Sequence, residues 1–297
     1  MRRRDFLGTS IAGSAGLLLA DTMARAADST DPVGLVPLGK HLKVCRLGAG
    51  TGMRGWNRST NQTRLGKEKF EALLHHEYDQ GVRLFDCADL YGSHPFVGRV
   101  LQGKPREGYQ IVTKLWVKEG GLPEKERPDA DVCIKRFLKE LDMEYLDLVQ
   151  FHCMTSGKWP EELRKQMDIL DKLKEQGLVR AHGVSCHSVD ALKAAASEPW
   201  VDVIHVRINP FKVSTDAAMD EVMPLVKQAH DAGKGIIGMK LNGEGRFTPE
   251  QRAESVRFAL ASGAVDVIIA GFETGAQVDE FKTMFAADLA AAPKKGG

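Results

Sequence analysis

Short apolar runs recur along the chain, and each is separated from the next by a segment with helical periodicity. The runs are four or five residues long, as expected of strands buried on both faces of a sheet. The segments between them place apolar residues three or four positions apart, which predicts helices that cover one face of a sheet. The predicted strands are Val44–Leu47, Val82–Phe85, Gln110–Thr113, Asp147–Phe151, Ala181–Val184, Val203–Val206, Gly235–Met239 and Val265–Ile269.

Eight strands that alternate with helices predict a single-domain α/β fold, the (β/α)8 TIM barrel, over residues 41–290. A doubly wound sheet is the alternative, but it usually carries G-x-G-x-x-G between its first strand and helix. Here the first predicted strand is followed by glycines between Gly48 and Gly55 that are out of register with that fingerprint. Proline and glycine recur over residues 27–40, which predicts a linker, and residues 291–297 are expected to form a C-terminal tail.

The first 26 residues resemble an export signal rather than part of the fold. Arg2 and Arg3 give a twin-arginine start, an apolar stretch covers Ile11–Ala20, and Ala24–Ala26 supplies an A-x-A cleavage site. The apolar stretch is shorter than the roughly 20 residues of a membrane span, so no stable membrane anchor is expected. We therefore expect export by the twin-arginine machinery to the periplasm or beyond, soluble after cleavage, with the general secretory route as the alternative.

Composition narrows the class of function further. The 297 residues carry 41 basic and 40 acidic side chains, and no long basic run occurs, which argues against a nucleic-acid partner. Five widely spaced cysteines without a C-x-x-C pair do not form a disulfide framework and are expected to be buried thiols.

Four residues with proton-transfer chemistry follow the second, third and fourth predicted strands. Asp86 and Tyr91 follow the second strand, Lys114 ends the third and His152 ends the fourth. Function in a (β/α)8 barrel lies at the C-terminal ends of the strands, so all four are expected at one mouth. The two-residue period of a strand places His152 on the face opposite to Phe151, and therefore toward the barrel interior.

In type, order and spacing, Asp86, Tyr91, Lys114 and His152 resemble the catalytic tetrad of the aldo-keto reductases, whose motif F-D-x-A-x-x-Y-G occurs at 85–92. A free tyrosine has a pKa of about 10, and a neighbouring ammonium would lower it. Asp86 would orient Lys114, and His152 would hydrogen-bond a substrate oxygen. The resemblance implies an oxidoreductase in which Tyr91 exchanges a proton with a carbonyl or alcohol oxygen. No side chain donates hydride, so a nicotinamide cofactor is implied.

The resemblance also implies a cofactor site along the later strand ends. NADP is the family's usual cofactor, yet departures from the family pattern leave NAD possible: Cys186 replaces an asparagine, His205 replaces a glutamine, and Gln277 stands where arginine is common. Lys240 could meet phosphate as a point charge. The cofactor-binding residues expected on this basis are Gly50, Thr51, Ser185, Cys186, His205, Lys240, Gly271, Gln277 and Glu280.

Trp116, two residues past Lys114, resembles a family position in the substrate pocket, and Trp56 could add a second apolar wall. Such a pocket would suit a small carbonyl compound or a sugar. Two alternatives stay open. His152-Cys153 and Cys186-His187 could supply zinc ligands, although neighbours on a strand point to opposite faces. The same barrel could also serve as a non-catalytic nucleotide- or carbohydrate-binding protein.

Overall fold

The structure is a computed structural model that describes residues 31–125 and 127–292. Its strands are β1 (Leu35–Leu38), β2 (Leu42–Cys45), β3 (Leu47–Gly50), β4 (Leu84–Asp86), β5 (Gln110–Leu115), β6 (Leu146–Met154), β7 (Val179–Cys186), β8 (Val203–Arg207), β9 (Gly235–Met239) and β10 (Val267–Ala270). Its α-helices are α1 (Asn61–Arg64), α2 (Lys67–Asp79), α3 (His94–Leu101), α4 (Ala130–Leu141), α5 (Trp159–Glu162), α6 (Arg164–Glu175), α7 (Val189–Ser197), α8 (Met219–Asp231), α9 (Pro249–Ala261) and α10 (Gly275–Ala291).

Strands β3 to β10 close into a parallel barrel in chain order, with β10 paired to β3. The predicted (β/α)8 fold is therefore confirmed. Inside the barrel, one apolar layer lies near the N-terminal ends of the strands; it includes Leu84, Val112, Leu148 and Val203. A second and larger core lies between the barrel and the helices. Polar side chains lie at the C-terminal ends of the strands, beyond the inner apolar layer.

Strand β1, which lies inside the segment predicted to be a linker, pairs with β2 as an antiparallel hairpin. The last residues of that segment are therefore a strand and not a linker. Val36 and Leu38 are buried in the barrel's inner core, while Leu35 and Pro37 are exposed. Proline is tolerated because it lies on the solvent side of a two-stranded edge. Gly39 turns the chain with φ 61°. The hairpin thereby covers the N-terminal end of the barrel, opposite to the polar strand ends.

The first barrel strand is also shifted from its predicted position, because the run Val44–Leu47 is split between β2 and β3. Gly48 and Gly50, which the sequence placed in a glycine-rich loop, lie in β3. A Cβ on Gly48 would lie 2.3 Å from Cδ1 of Ile269, so close strand packing requires glycine there. The eighth barrel strand, β10, begins two residues later than predicted.

The predicted signal segment, residues 1–26, lies outside the described residues, as do residues 293–297 of the predicted tail. Within the described part of the chain, no helix combines the length and the apolar character needed to cross a membrane.

Candidate active site

Strands β4, β5 and β6 carry three polar side chains to the mouth of the barrel. Asp86 is the last residue of β4, Lys114 the next to last of β5, and His152 the third from last of β6. Val149 and Phe151 of β6 pack in the core that faces the helices. Because side chains alternate along a strand, His152 points inward, as the sequence predicts.

Tyr91 reaches the same mouth from the turn that follows β4. Residues Asp89–Tyr91 form a 3-10 turn, which Gly92 ends with a left-handed backbone at φ 66°. The Tyr91 hydroxyl lies 3.3 Å from Nε2 of His152, and the two rings meet edge-on with centroids 5.3 Å apart. Nζ of Lys114 lies 5.1 Å from the centre of the Tyr91 ring. The structure thus brings all four predicted residues together.

Lys114 and Asp86 form an ion pair that is almost closed to solvent. Nζ of Lys114 donates to Oδ1 of Asp86 at 2.5 Å and to the carbonyl oxygen of Cys87 at 3.0 Å. Only 1% of the Lys114 side chain is exposed. A buried charge is costly without an opposite charge beside it, so each residue of the pair compensates the burial of the other.

The pKa of Tyr91 is raised well above 10, chiefly by burial and then by the Asp86 carboxylate. The sequence predicted a lowered pKa, and that expectation is wrong because Asp86 offsets the charge of Lys114 and burial then dominates. Burial, with the Lys114 ammonium, also holds the pKa of His152 well below 6.5. At neutral pH the site therefore presents a protonated phenol beside a neutral imidazole.

A cleft opens next to Tyr91 and Asp86, between the loops that follow β3, β9 and β10. It encloses about 700 Å³, including space open to solvent. Three residues of the predicted cofactor set line it: Gly50, Lys240 and Gly271. A Cβ on Gly271 would lie 2.7 Å from Cγ of Met53, so a side chain there would close this wall.

Three other members of the predicted cofactor set lie inside the barrel mouth. Thr51 donates its N–H and its hydroxyl to the carbonyl oxygen of Asp86, at 3.1 and 2.8 Å, and so fixes the end of β4. The Ser185 hydroxyl accepts the N–H of Cys153 at 3.2 Å. His205 is fully buried, with Nδ1 2.6 Å from Oε1 of Gln150 and Nε2 3.5 Å from Asp86.

The last three predicted cofactor residues make contacts within the protein, and their role toward a cofactor stays a prediction. Cys186 is fully buried in the core between barrel and helices, because it sits one position after the inward-facing Ser185. The Gln277 side chain accepts the N–H of Thr274 and completes the capping box of α10. Glu280 is exposed and pairs with Arg252 at 2.6 Å.

Of the two predicted substrate residues, Trp116 contacts His152 and Trp56 contacts Trp116. The Trp116 ring meets His152 edge-on at 5.5 Å between centroids and meets Trp56 at 5.8 Å. Trp116 is buried, whereas 57% of Trp56 is exposed. The pair forms an aromatic wall that runs outward from His152.

A zinc site would require the histidine and cysteine side chains of 152–153 and 186–187 to point at one centre, and they do not. Cys153 has a left-handed backbone, φ 61°, at a bulge of β6, and its Sγ lies 3.4 Å from Nε2 of His187. Cys186 faces the helices instead. Across the residues described, no group of three or more His, Cys, Asp or Glu side chains has the arrangement of a metal site.

Sequence reasoning missed two groups of residues at this mouth. Glu244 accepts hydrogen bonds from Lys240, Ser214 and Arg246, at 2.7, 2.9 and 2.9 Å, and lines the cleft. Asp89, inside the motif that carries Tyr91, is buried between arginines described below. Its position in the motif could have singled out Asp89. Its partners could not have been found in this way, because they are distant in sequence.

Known proteins resemble this chain in sequence. A model of the Aldo/keto reductase family matches residues 46–259. "Probable aldo-keto reductase 1" of Glycine max is 28% identical over 192 residues, which cover 62% of this chain and 53% of that protein. "NADH-specific methylglyoxal reductase" of Escherichia coli is 24% identical over 217 residues, 65% of this chain and 63% of that protein. The chain thus spans between half and two thirds of these relatives.

Solved structures agree with the barrel. A putative aldo-keto reductase from Pseudomonas aeruginosa is 25% identical, with a TM-score of 0.70, over 86% of this chain and 95% of that one. The holo form of an aldo-keto reductase from Bacillus halodurans is 20% identical, with a TM-score of 0.64, over 89% and 97% of the two chains. The second likeness bears on the fold alone.

Proposed function

We propose a function for this chain on the basis of its family. It belongs to the aldo/keto reductase family, whose model matches residues 46–259. The proposed function is that of an NAD(P)-dependent oxidoreductase that interconverts a carbonyl compound and an alcohol. The observation that carries it is the Tyr91 hydroxyl, 3.3 Å from His152 and beside a buried Lys114–Asp86 pair at the edge of a cleft.

The cleft fits a nicotinamide dinucleotide. Gly50 and Gly271 leave its walls open, and the ammonium of Lys240, which Glu244 binds at 2.7 Å, lines it where a phosphate could replace that carboxylate. When bound, the nicotinamide would supply or take the hydride, for which the protein has no side chain.

The chain's own contribution is to hold the substrate oxygen and move one proton. In reduction, the protonated Tyr91 hydroxyl gives its proton to the carbonyl oxygen, and the ammonium of Lys114 faces the phenolate that forms. The neutral His152 holds the substrate oxygen next to the phenol through Nε2. In alcohol oxidation, the proton moves from the alcohol to the Tyr91 phenolate.

The mouth suggests the kind of substrate. Trp116 and Trp56 form an aromatic wall beside His152, so we propose a small carbonyl compound or sugar with an apolar face that stacks there. One relative named for NADH and methylglyoxal falls within this class.

The test is a turnover assay with methylglyoxal, an aromatic aldehyde and an aldose, each with NADH and with NADPH. We expect turnover of at least one carbonyl compound and a kcat lower by about 10²–10⁴-fold in the Tyr91→Phe variant, because that variant lacks the proton donor. Nucleotide affinity, followed by tryptophan fluorescence, should stay within threefold in that variant.

Two outcomes would contradict the proposal. A Tyr91→Phe variant that keeps its turnover within tenfold would show that the phenol is not the proton donor. A protein that binds nucleotide yet reduces no carbonyl compound would favour the non-catalytic binding protein instead.

A further inference from the structure

The turn that carries Tyr91 is held by a buried carboxylate between two arginines. Asp89 is 3% exposed. Nε and Nη2 of Arg58, from the loop after β3, donate to its Oδ1 at 3.2 and 3.1 Å. Nη1 and Nη2 of Arg136, from α4, donate to its Oδ1 and Oδ2 at 2.9 and 2.7 Å. Two parallel bonds of this kind fix direction as well as distance.

The Arg58 backbone is joined to the same turn. Its N–H donates to the carbonyl oxygen of Leu90 at 2.9 Å. Its carbonyl oxygen lies where a Cβ on Gly92 would approach within 2.3 Å, so only glycine allows the two segments to touch. Arg58 also has a left-handed backbone, φ 53°, a conformation that a non-glycine residue keeps only when its surroundings enforce it.

The same loop forms one wall of the Tyr91 ring. A Cβ on Gly52 would lie 2.2 Å from Cζ of Tyr91, and one on Gly55 would lie 2.7 Å from its Cδ1. The ring is therefore enclosed by glycine backbone on one side and by His152 at its edge. A shift of the loop that Arg58 anchors would move this wall away from the phenol.

Polar contacts continue from Arg136 to β5, the strand that carries Lys114. Arg136 donates to Glu140 at 3.0 Å, and the other oxygen of Glu140 lies 2.8 Å from Nδ1 of His94. Nε2 of His94 lies 2.8 Å from the hydroxyl of Thr113, the residue before Lys114. Contacts thus run without a gap from the Tyr91 turn to β5.

We propose that Asp89 is a positioning residue: through Arg58 and Arg136 it sets the place of the Tyr91 hydroxyl relative to His152 and Lys114. This inference rests on the proposed role of Tyr91 as proton donor. Among the described residues the hydroxyl has a single hydrogen-bond contact, at 3.3 Å to His152, so its position depends on how firmly the turn is held. A displacement of about 1 Å at a reacting group can cost about 10²-fold in rate.

The first experiment compares the full-length protein with its Asp89→Asn variant. Asparagine keeps the volume of the side chain but replaces one acceptor oxygen by an NH2 group, which cannot bind a guanidinium. We expect kcat, counted per nucleotide-binding site, to fall by about 10²-fold, with the KM for the carbonyl substrate and the nucleotide Kd within threefold.

The second readout is the ionisation of Tyr91, which needs no turnover. It is measured as tyrosinate absorbance on raising the pH, after subtraction of the same protein with Tyr91→Phe. Burial is the largest cause of the raised pKa of Tyr91, so a loosened turn that admits water should lower that pKa. A purely structural role for Asp89 would reduce the folded fraction but leave this pKa unchanged in the folded molecules.

Arg58→Met provides a second variant in case Asp89→Asn does not fold, because the contact between Arg136 and Asp89 remains. Asp131→Asn is the matched control: it breaks an exposed ion pair with Lys135, 2.9 Å, on the same helix as Arg136. We expect Arg58→Met to lower kcat and the Tyr91 pKa as Asp89→Asn does, and the control to change neither.

The outcomes separate this inference from the proposed function. A kcat per site within threefold of the parent in the folded variant overturns the positioning role, as does a lowered kcat with an unmoved Tyr91 titration. A parent protein that reduces no carbonyl compound would instead refute the proposed function, while the titration could still be measured.

Discussion

Replacement of Lys114 by methionine should destabilise the fold through the carboxylate that it leaves behind. Asp86 is 5% exposed, and its Oδ1 receives Nζ of Lys114 at 2.5 Å. Methionine fills a similar volume but brings neither charge nor hydrogen. Removal of one partner from a buried ion pair typically costs about 3–5 kcal/mol, because the remaining charge has no compensation. We expect a loss of this size in the free energy of unfolding at pH 8.

The loss should depend on pH. Burial raises the pKa of Asp86, and Lys114 opposes that shift, so the pKa in the variant rises further above the unfolded value of about 3.9. A group whose folded pKa is raised favours the folded state while it is protonated, and that contribution is lost as pH rises through the folded pKa. The deficit of Lys114→Met should therefore be smaller at pH 5 than at pH 8, with a slope of at most about 1.4 kcal/mol per pH unit.

The assay is urea unfolding of parent and variant at both pH values, followed by tryptophan fluorescence. Lys135→Met serves as control, because the pair of Lys135 with Asp131 is exposed and should contribute at most about 1 kcal/mol. A deficit below about 1 kcal/mol at pH 8, or an equal deficit at the two pH values, would refute the reasoning that Asp86 is left buried and charged.

Three further predictions concern turnover. Gly52→Ala should lower kcat by at least about tenfold, since its Cβ would meet the Tyr91 ring at 2.2 Å; Gly108→Ala, with open space around it, should not. Because the pKa of Tyr91 is raised, the rate of reduction should stay constant from about pH 7 to pH 9, and a fall in rate that begins below about pH 9 would contradict that. NADPH differs from NADH by a 2′-phosphate, and residues 270–281 contain no lysine or arginine that could bind it. The values of kcat/KM with NADPH and with NADH should therefore agree within about tenfold. A ratio above about 10³ in favour of NADPH would contradict this.

The sequence predicted the barrel because its signals are local. Each strand is a short apolar run and each helix an amphipathic stripe, so pattern and length were sufficient. The same locality placed Asp86, Lys114 and His152 at strand ends. It failed for β1, where Pro37 and Gly39 indicated a linker, because only pairing with β2 makes that segment a strand.

The sequence did not give the contacts of the expected cofactor residues, because motif position does not fix a side chain's direction. Cys186 follows Ser185 in the motif, yet it faces the helices. Gln277 stands where the family commonly has arginine, and its side chain completes the capping box at the start of α10. A residue that is near the site in sequence can therefore be used for packing or capping instead.

The sequence by itself determined the barrel and placed four polar residues at its mouth, since strand periodicity and one short motif are local signals. Only the tertiary structure decided the acidity of Tyr91 and the ion pairs that hold its turn. Those depend on burial and on distances between residues far apart in the chain, as between Asp89 and Arg136, 47 positions apart. Electrostatic energies follow distance in space and access to water, and neither can be read from local order.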